Sequence, residues 1–148
     1  MKHNMWAIFL VMLPLLVVSG CATTPKPPRN AQAFERKMEV TGYCKCKQCC
    51  NWQRTWLGRA VVADGPAEGK KKKVGQTASG TKAKVGTIAA DTKKYPFGTV
   101  MYIPGYGYGR VEDRGTAIQG EHIDLYFDSH KAALKWGRVD KVVKVWAP

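Results

Sequence analysis

The stretch GEHIDLYFDS, Gly120–Ser129, carries an acid in the middle of a β-type run. Ile123, Leu125 and Phe127 alternate with His122, Asp124 and Tyr126, and a period of two marks a strand with two unlike faces. Aspartate is depleted in strands, so either the second face is wet or Asp124 has chemical work there. With the apolar trio on a core, Asp124 points into a polar groove beside His122 and Tyr126.

The same short β-type pattern recurs along the chain. MEVTGY, GTIAAD, GTVMYIPG, YGRVED and KVVKVWA join HIDLYF, and glycines punctuate them. Many short strands with Gly and Pro turns predict an all-β barrel or sandwich. One helix is signalled near the end: Asp128 or Ser129 caps a segment running through Trp136, and Gly137 terminates it. The expected fold class is therefore mainly β, a barrel with one short helix near the C-terminus. Asn51–Gly80, which holds Gly65-Pro66 and the lysine run Lys70–Lys73, reads as long loops.

The N-terminus has a different character. Lys2 precedes an apolar run from Met5 to Val18 that is broken only by Pro14. That run is shorter than the roughly 20 residues a spanning helix needs, and it has the layout of a secretory signal. Val18-Ser19-Gly20-Cys21 is similar to a bacterial lipobox, the alternative being an ordinary signal peptide with an incidental cysteine. Residues 1–20 are then a lipoprotein signal peptide, and Cys21 is the lipidation site that ties the protein to a membrane. Ala22 after the cysteine suggests, by analogy with lipoprotein sorting, the periplasmic face of the outer membrane. Residues 21–38, with Pro25, Pro27 and Pro28, read as a tether. Residues 39–148 are left as one folded domain, expected to be a monomer.

The chain of 148 residues holds 24 Lys and Arg against 11 Asp and Glu, a formal charge of +13. Such an excess attracts polyanions. An exported protein rarely meets nucleic acid, and no aromatic residues interleave the lysine run as a single-strand groove requires. An anionic envelope polymer is the better partner, with a solvated lysine loop as the plainer reading. Besides Cys21, cysteines stand at 44, 46, 49 and 50. In an oxidising compartment they suggest disulfides, for which three pairings exist. The spacing CxCxxCC is also compatible with a thiolate metal site, although adjacent Cys49 and Cys50 fit a tetrahedron poorly. Free thiols are the remaining possibility, and no histidine is matched to a cysteine as a catalytic thiol requires.

Three acids stand out by placement: Asp91 ends GTIAAD, Asp113 ends GRVED, and Asp124 lies inside HIDLYF. Each borders a strand, so one cleft could gather all three. The plainer reading makes Asp124 a solvent-facing strand residue, and makes Asp91 and Asp113 turn-closing acids that accept backbone hydrogen bonds. His130, in the first turn of the helix, reads as a surface residue. Tyr102, Tyr106, Tyr108 and Tyr126 could stack on sugar rings, though core packing explains most tyrosines in a small barrel. Trp52, Trp56, Trp136 and Trp146 are assigned mainly to the core, with Trp52 or Trp56 as the exposed exception.

Thr77–Gly137 as a whole resembles the three-aspartate, or 3D, domain family and the related catalytic barrel of the membrane-bound lytic transglycosylase A family. The matching elements are the acid after GTIAA, the PFGT turn, YIPGYG, EDRGTAIQG, HIDLYF and the closing AALKWG; the upstream TGYC resembles cysteine-bearing members. The resemblance implies a six-stranded double-psi β-barrel and a peptidoglycan lytic transglycosylase. Such an enzyme cleaves the MurNAc-β-1,4-GlcNAc bond of glycan strands and leaves a 1,6-anhydro end, without a cofactor. It makes Asp124 the catalytic acid, with Asp113 and Asp91 matching the family's other two. His122 either orients Asp124 or contacts substrate, the plainer reading being a polar strand residue satisfied by solvent, and Thr116 and Tyr126 are further candidate substrate contacts. Thr116 departs from the family pattern, which has a second glycine there, and its side chain would narrow the groove or add a hydroxyl contact. The competing function is a non-catalytic peptidoglycan-binding lipoprotein, because fold alone never settles function.

Overall fold

The computed structural model describes residues 25–148. The expected signal peptide, lipobox and lipidation site Cys21 lie outside the described residues. In chain order the elements are β1 (Phe34–Tyr43), α1 (Lys47–Cys50), β2 (Trp52–Arg54), β3 (Ala60–Val62), β4 (Thr87–Ala89), β5 (Val100–Ile103), β6 (Gly107–Asp113), β7 (His122–Tyr126), α2 (His130–Trp136) and β8 (Val139–Trp146).

Six of the strands close a barrel in the order β1-β7-β4-β6-β5-β8. β1 runs parallel to β7 and β4 parallel to β6, while the other four pairings are antiparallel. Parallel neighbours require crossover connections, and two such pairs in one six-stranded barrel agree with the double-psi expectation. All six β-type runs read from the sequence are barrel strands.

The barrel interior is filled by side chains, as in other small barrels. Val40, Ile88, Met101, Ile103, Val111, Ile123, Leu125, Val143 and Val145 are all fully buried there. Packing is tight enough to exclude even a methyl group at Gly109 on β6. A Cβ there would lie 2.6 Å from Ile88 Cδ1 and 2.9 Å from the Gly86 carbonyl oxygen.

The C-terminal helix follows its sequence signals closely. Ser129 is the N-cap, its Oγ accepting from the Ala132 amide, and Gly137 ends the helix by donating to the Ala133 carbonyl. Two boundaries differ from the sequence reading. β1 starts at Phe34, inside the expected tether, because residues 34–38 pair with β8 from Val145 back to Lys141. Asn51–Gly80 is not simply loop: β2 and β3 form an antiparallel hairpin, and the lysine run folds back on it through the Val61–Lys71 bridge.

Gly109→Ala should destabilise the barrel by about 1–3 kcal/mol, the usual range for overpacking. Urea unfolding should show a lowered midpoint with an unchanged slope.

Candidate active site

The parallel pairing of β1 with β7 sets Glu39 opposite His122, Thr41 opposite Asp124 and Tyr43 opposite Tyr126. The alternate pairs, Val40 with Ile123 and Gly42 with Leu125, turn toward the core side. A polar ladder thus runs along one face of the two strands. Its middle rung is the hydroxyl of Thr41, 2.9 Å from Asp124 Oδ1 and 2.9 Å from His122 Nε2. A hydroxyl has one proton to give. With it donated to the ionised Asp124, His122 carries hydrogen on Nε2 and donates to Thr41, completing a His122–Thr41–Asp124 relay. Glu39 stands beyond, 3.5 Å from His122 Nε2, and also accepts from Arg138.

Burial pushes the Asp124 carboxyl above its ordinary range, because desolvation disfavours the charged form. The Thr41 hydrogen bond and the positive character of His122 and Arg138 pull the other way, and the Asp113 charge adds a smaller push upward. Desolvation outweighs them, so the Asp124 carboxyl keeps its proton to higher pH than an exposed aspartate does. A shift in that direction suits a group that donates a proton and then acts as a base.

Asp113 reaches the same region from β6. Ala89 of β4 lies between the two acids, paired with Asp124 on one side and with Asp113 on the other. The second pairing depends on a register shift after Ile88, which inserts Glu112 and brings Asp113 opposite Ala89; such bulges commonly re-aim side chains beside functional sites. The Asp113 carboxylate is fully engaged. It accepts from the Tyr43 hydroxyl at 3.0 Å and from the Ala78 and Arg114 amides at 2.9 Å each. Burial and the neighbouring Asp113 raise the Tyr43 phenol far above its usual range, so it remains a proton donor to that carboxylate.

Asp91 plays a different part. Its carboxylate accepts from the Gly120 and Lys93 amides at 3.1 Å each, and these bonds hold its carboxyl below the usual range. Asp91 ties the turn that leads into β7 and opens on a cavity of about 290 Å³ with Arg114 and Thr116. A second cavity, of about 260 Å³, is lined by Tyr43, Cys50, Lys72, Thr77, Asp113 and Tyr126. The three acids do not share one cavity: Asp91 borders the first, Asp113 the second, and Asp124 lines neither of the two. Tyr126 is buried, packed edge-on to Tyr43 with ring centroids 5.4 Å apart, and Thr116 is exposed on the turn.

Sequence reasoning missed Thr41 and Tyr43 as site residues. The period of two in MEVTGY puts them on one face, but only the parallel register shows that this face meets Asp124 and Asp113. The cysteines also differ from the favoured expectation. Cys44, Cys46, Cys49 and Cys50 are free thiols, and the Cys44 and Cys49 sulfurs stand 3.9 Å apart, against about 2.05 Å for a disulfide. His130 is not a surface bystander: its Nδ1 faces the sulfurs of Cys46 and Cys49. Trp56 is exposed at the tip of the β2–β3 hairpin, as expected.

Comparisons with known proteins give partial matches. Over 50 residues, 34% of the chain, it is 40% identical to the putative cell wall shaping protein YabE of Bacillus subtilis. Identity to the cell wall-binding protein YocH of the same organism is also 40% over 50 residues. The matches span only 12% and 17% of those proteins. Among solved structures, the chain is similar to Escherichia coli MltA with bound chitohexaose at a TM-score of 0.42 and 22% identity, covering 49% of this chain and 28% of that one. A further structure of the Escherichia coli lytic transglycosylase MltA gives 0.42 and 23%, covering 53% and 30%. The family model for the 3D domain matches residues 86–147, the stretch that runs from β4 through β8.

Proposed function

We propose that this protein works on the cell wall as a peptidoglycan lytic transglycosylase, with Asp124 as its catalytic residue. The observation that carries this reading is the carboxyl of Asp124, buried on a strand, raised above its ordinary range and hydrogen-bonded to Thr41. Ordinary glycosidases need two carboxyl groups, one as acid and one as nucleophile or base. A transglycosylase manages with one, because the C6 hydroxyl of the MurNAc ring attacks its own anomeric carbon. Asp124 protonates the departing glycosidic oxygen, and its carboxylate then accepts the proton of the C6 hydroxyl. The two transfers leave the acid as it began, a 1,6-anhydro ring on one fragment and a free hydroxyl on the other.

Asp113 serves here as a positioning residue rather than a second acid. Three donors engage its two oxygens, and through Tyr43 it fixes the wall of the cleft that Tyr43, Asp113 and Tyr126 line. Lys45, Lys72 and Lys73 line that same cleft, which suits an anionic glycan with carboxylated peptide stems. Asp91 and Thr116 shape the neighbouring cavity, where a further sugar would lie, and His122 tunes Asp124 through Thr41. We place the protein in the cell envelope as a lipoprotein anchored through Cys21, facing the periplasm from the outer membrane. The competing reading, a binding module without catalysis, has the printed description of YocH as a cell wall-binding protein in its favour.

Incubating purified peptidoglycan with the full chain should release anhydro-muropeptides detectable by mass spectrometry. Asp124→Asn should lower that release by roughly 100-fold or more, the scale of a lost general acid. No release by the wild-type protein would favour the binding module, and equal product from both proteins would remove Asp124 from the catalytic role. Thr41→Val removes a donor that stabilises the charged carboxylate, so it should raise the Asp124 pKa further. The alkaline limb of the pH–rate profile, where the acid is lost, should move to higher pH in that variant.

A further inference from the structure

We propose that Cys44, Cys46, Cys49 and His130 form a tetrahedral zinc site that fastens the segment after β1 to the start of α2. Their ligand atoms all lie within 4.8 Å of one another. Three of the six spacings inside the group match those of a metal tetrahedron. With Zn–S near 2.3 Å and Zn–N near 2.05 Å, tetrahedral angles place two sulfurs about 3.8 Å apart and a sulfur about 3.6 Å from a nitrogen. The structure has Cys44 Sγ 3.9 Å from Cys49 Sγ, and His130 Nδ1 at 3.6 Å from Cys46 Sγ and 3.4 Å from Cys49 Sγ. Two cysteines poised for oxidation have no need of a histidine nitrogen at metal-ligand distance from two sulfurs.

Three thiolates and one imidazole are a soft to borderline donor set that suits zinc. The fourth cysteine of the cluster is excluded by its orientation: Cys50 Sγ donates to the Cys44 carbonyl at 3.1 Å and lines the cleft instead. This removes the objection that adjacent Cys49 and Cys50 fit a tetrahedron poorly, since the fourth corner comes from His130, far along the chain. Bound thiols would shed their protons to solvent, leaving three thiolates and a dication with one net negative charge. Lys45 and Lys47, which alternate with the ligands, offset it. The site lies upstream of the 3D domain at three corners and within it at the fourth. Tyr43, the partner of Asp113, directly precedes Cys44, so the metal would brace the cleft wall without touching the reaction.

The test needs no assay of activity. The full chain, produced with added zinc and purified without chelator, should hold about one zinc per molecule by elemental analysis and native mass spectrometry. Cobalt(II) offered to the chelator-stripped protein should give the visible bands of a tetrahedral ion and a sulfur-to-cobalt charge-transfer band. Cys46→Ser and His130→Asn should each weaken zinc binding by roughly tenfold or more, whereas Cys50→Ser should keep the metal. Wild-type protein that holds no zinc and has its four thiols paired as disulfides would overturn the proposal. So would an octahedral cobalt spectrum without the charge-transfer band, or zinc loss caused by Cys50→Ser alone.

Discussion

Everything at the site depends on the parallel pairing of β1 with β7. That register sets Thr41 against Asp124 and Tyr43 against Tyr126, while Val40, Ile123 and Leu125 anchor the opposite face in the core. A slip of one residue would turn the polar ladder into the barrel and the apolar residues to water. The packing of the core and the geometry of the acid are thus one constraint. The cost of misplacing Ile123 or Leu125 holds Asp124 in place more firmly than its own hydrogen bond could.

The electrostatics of Asp124 are a balance rather than a single effect. Thr41, His122 and Arg138 all favour the carboxylate. Desolvation outweighs them, and part of the positive influence is directed elsewhere: Arg138 donates to Glu39 and Lys94 pairs with Glu121. Asp113 adds a smaller push in the same upward direction.

Much of this was legible in the sequence. All six barrel strands and the capped helix announced themselves through alternation, glycine turns and Ser129, and the three acids through their places inside or at the end of a β-type run. Where the reading failed, the physical reasons are specific. Residues 34–37 are exposed on both faces, so the start of β1 has no apolar alternation to read. The β2–β3 hairpin has strands of three residues, too short for a period to emerge. Thr41, Tyr43 and His130 gain their roles from residues about 70–84 positions away, and no local pattern reports a parallel register or the docking of α2 beside a cysteine turn.

Asp124 is therefore best regarded as an acid whose chemistry is set by the strand that carries it. The most direct test follows its carboxyl carbon by NMR as pH is raised, with Asp124→Asn used to assign the signal. The account predicts a titration midpoint clearly above the roughly 3.9 of an unperturbed aspartate. A midpoint at or below that value would mean that Thr41 and the neighbouring cations outweigh burial, and that Asp124 has no proton to give when substrate arrives.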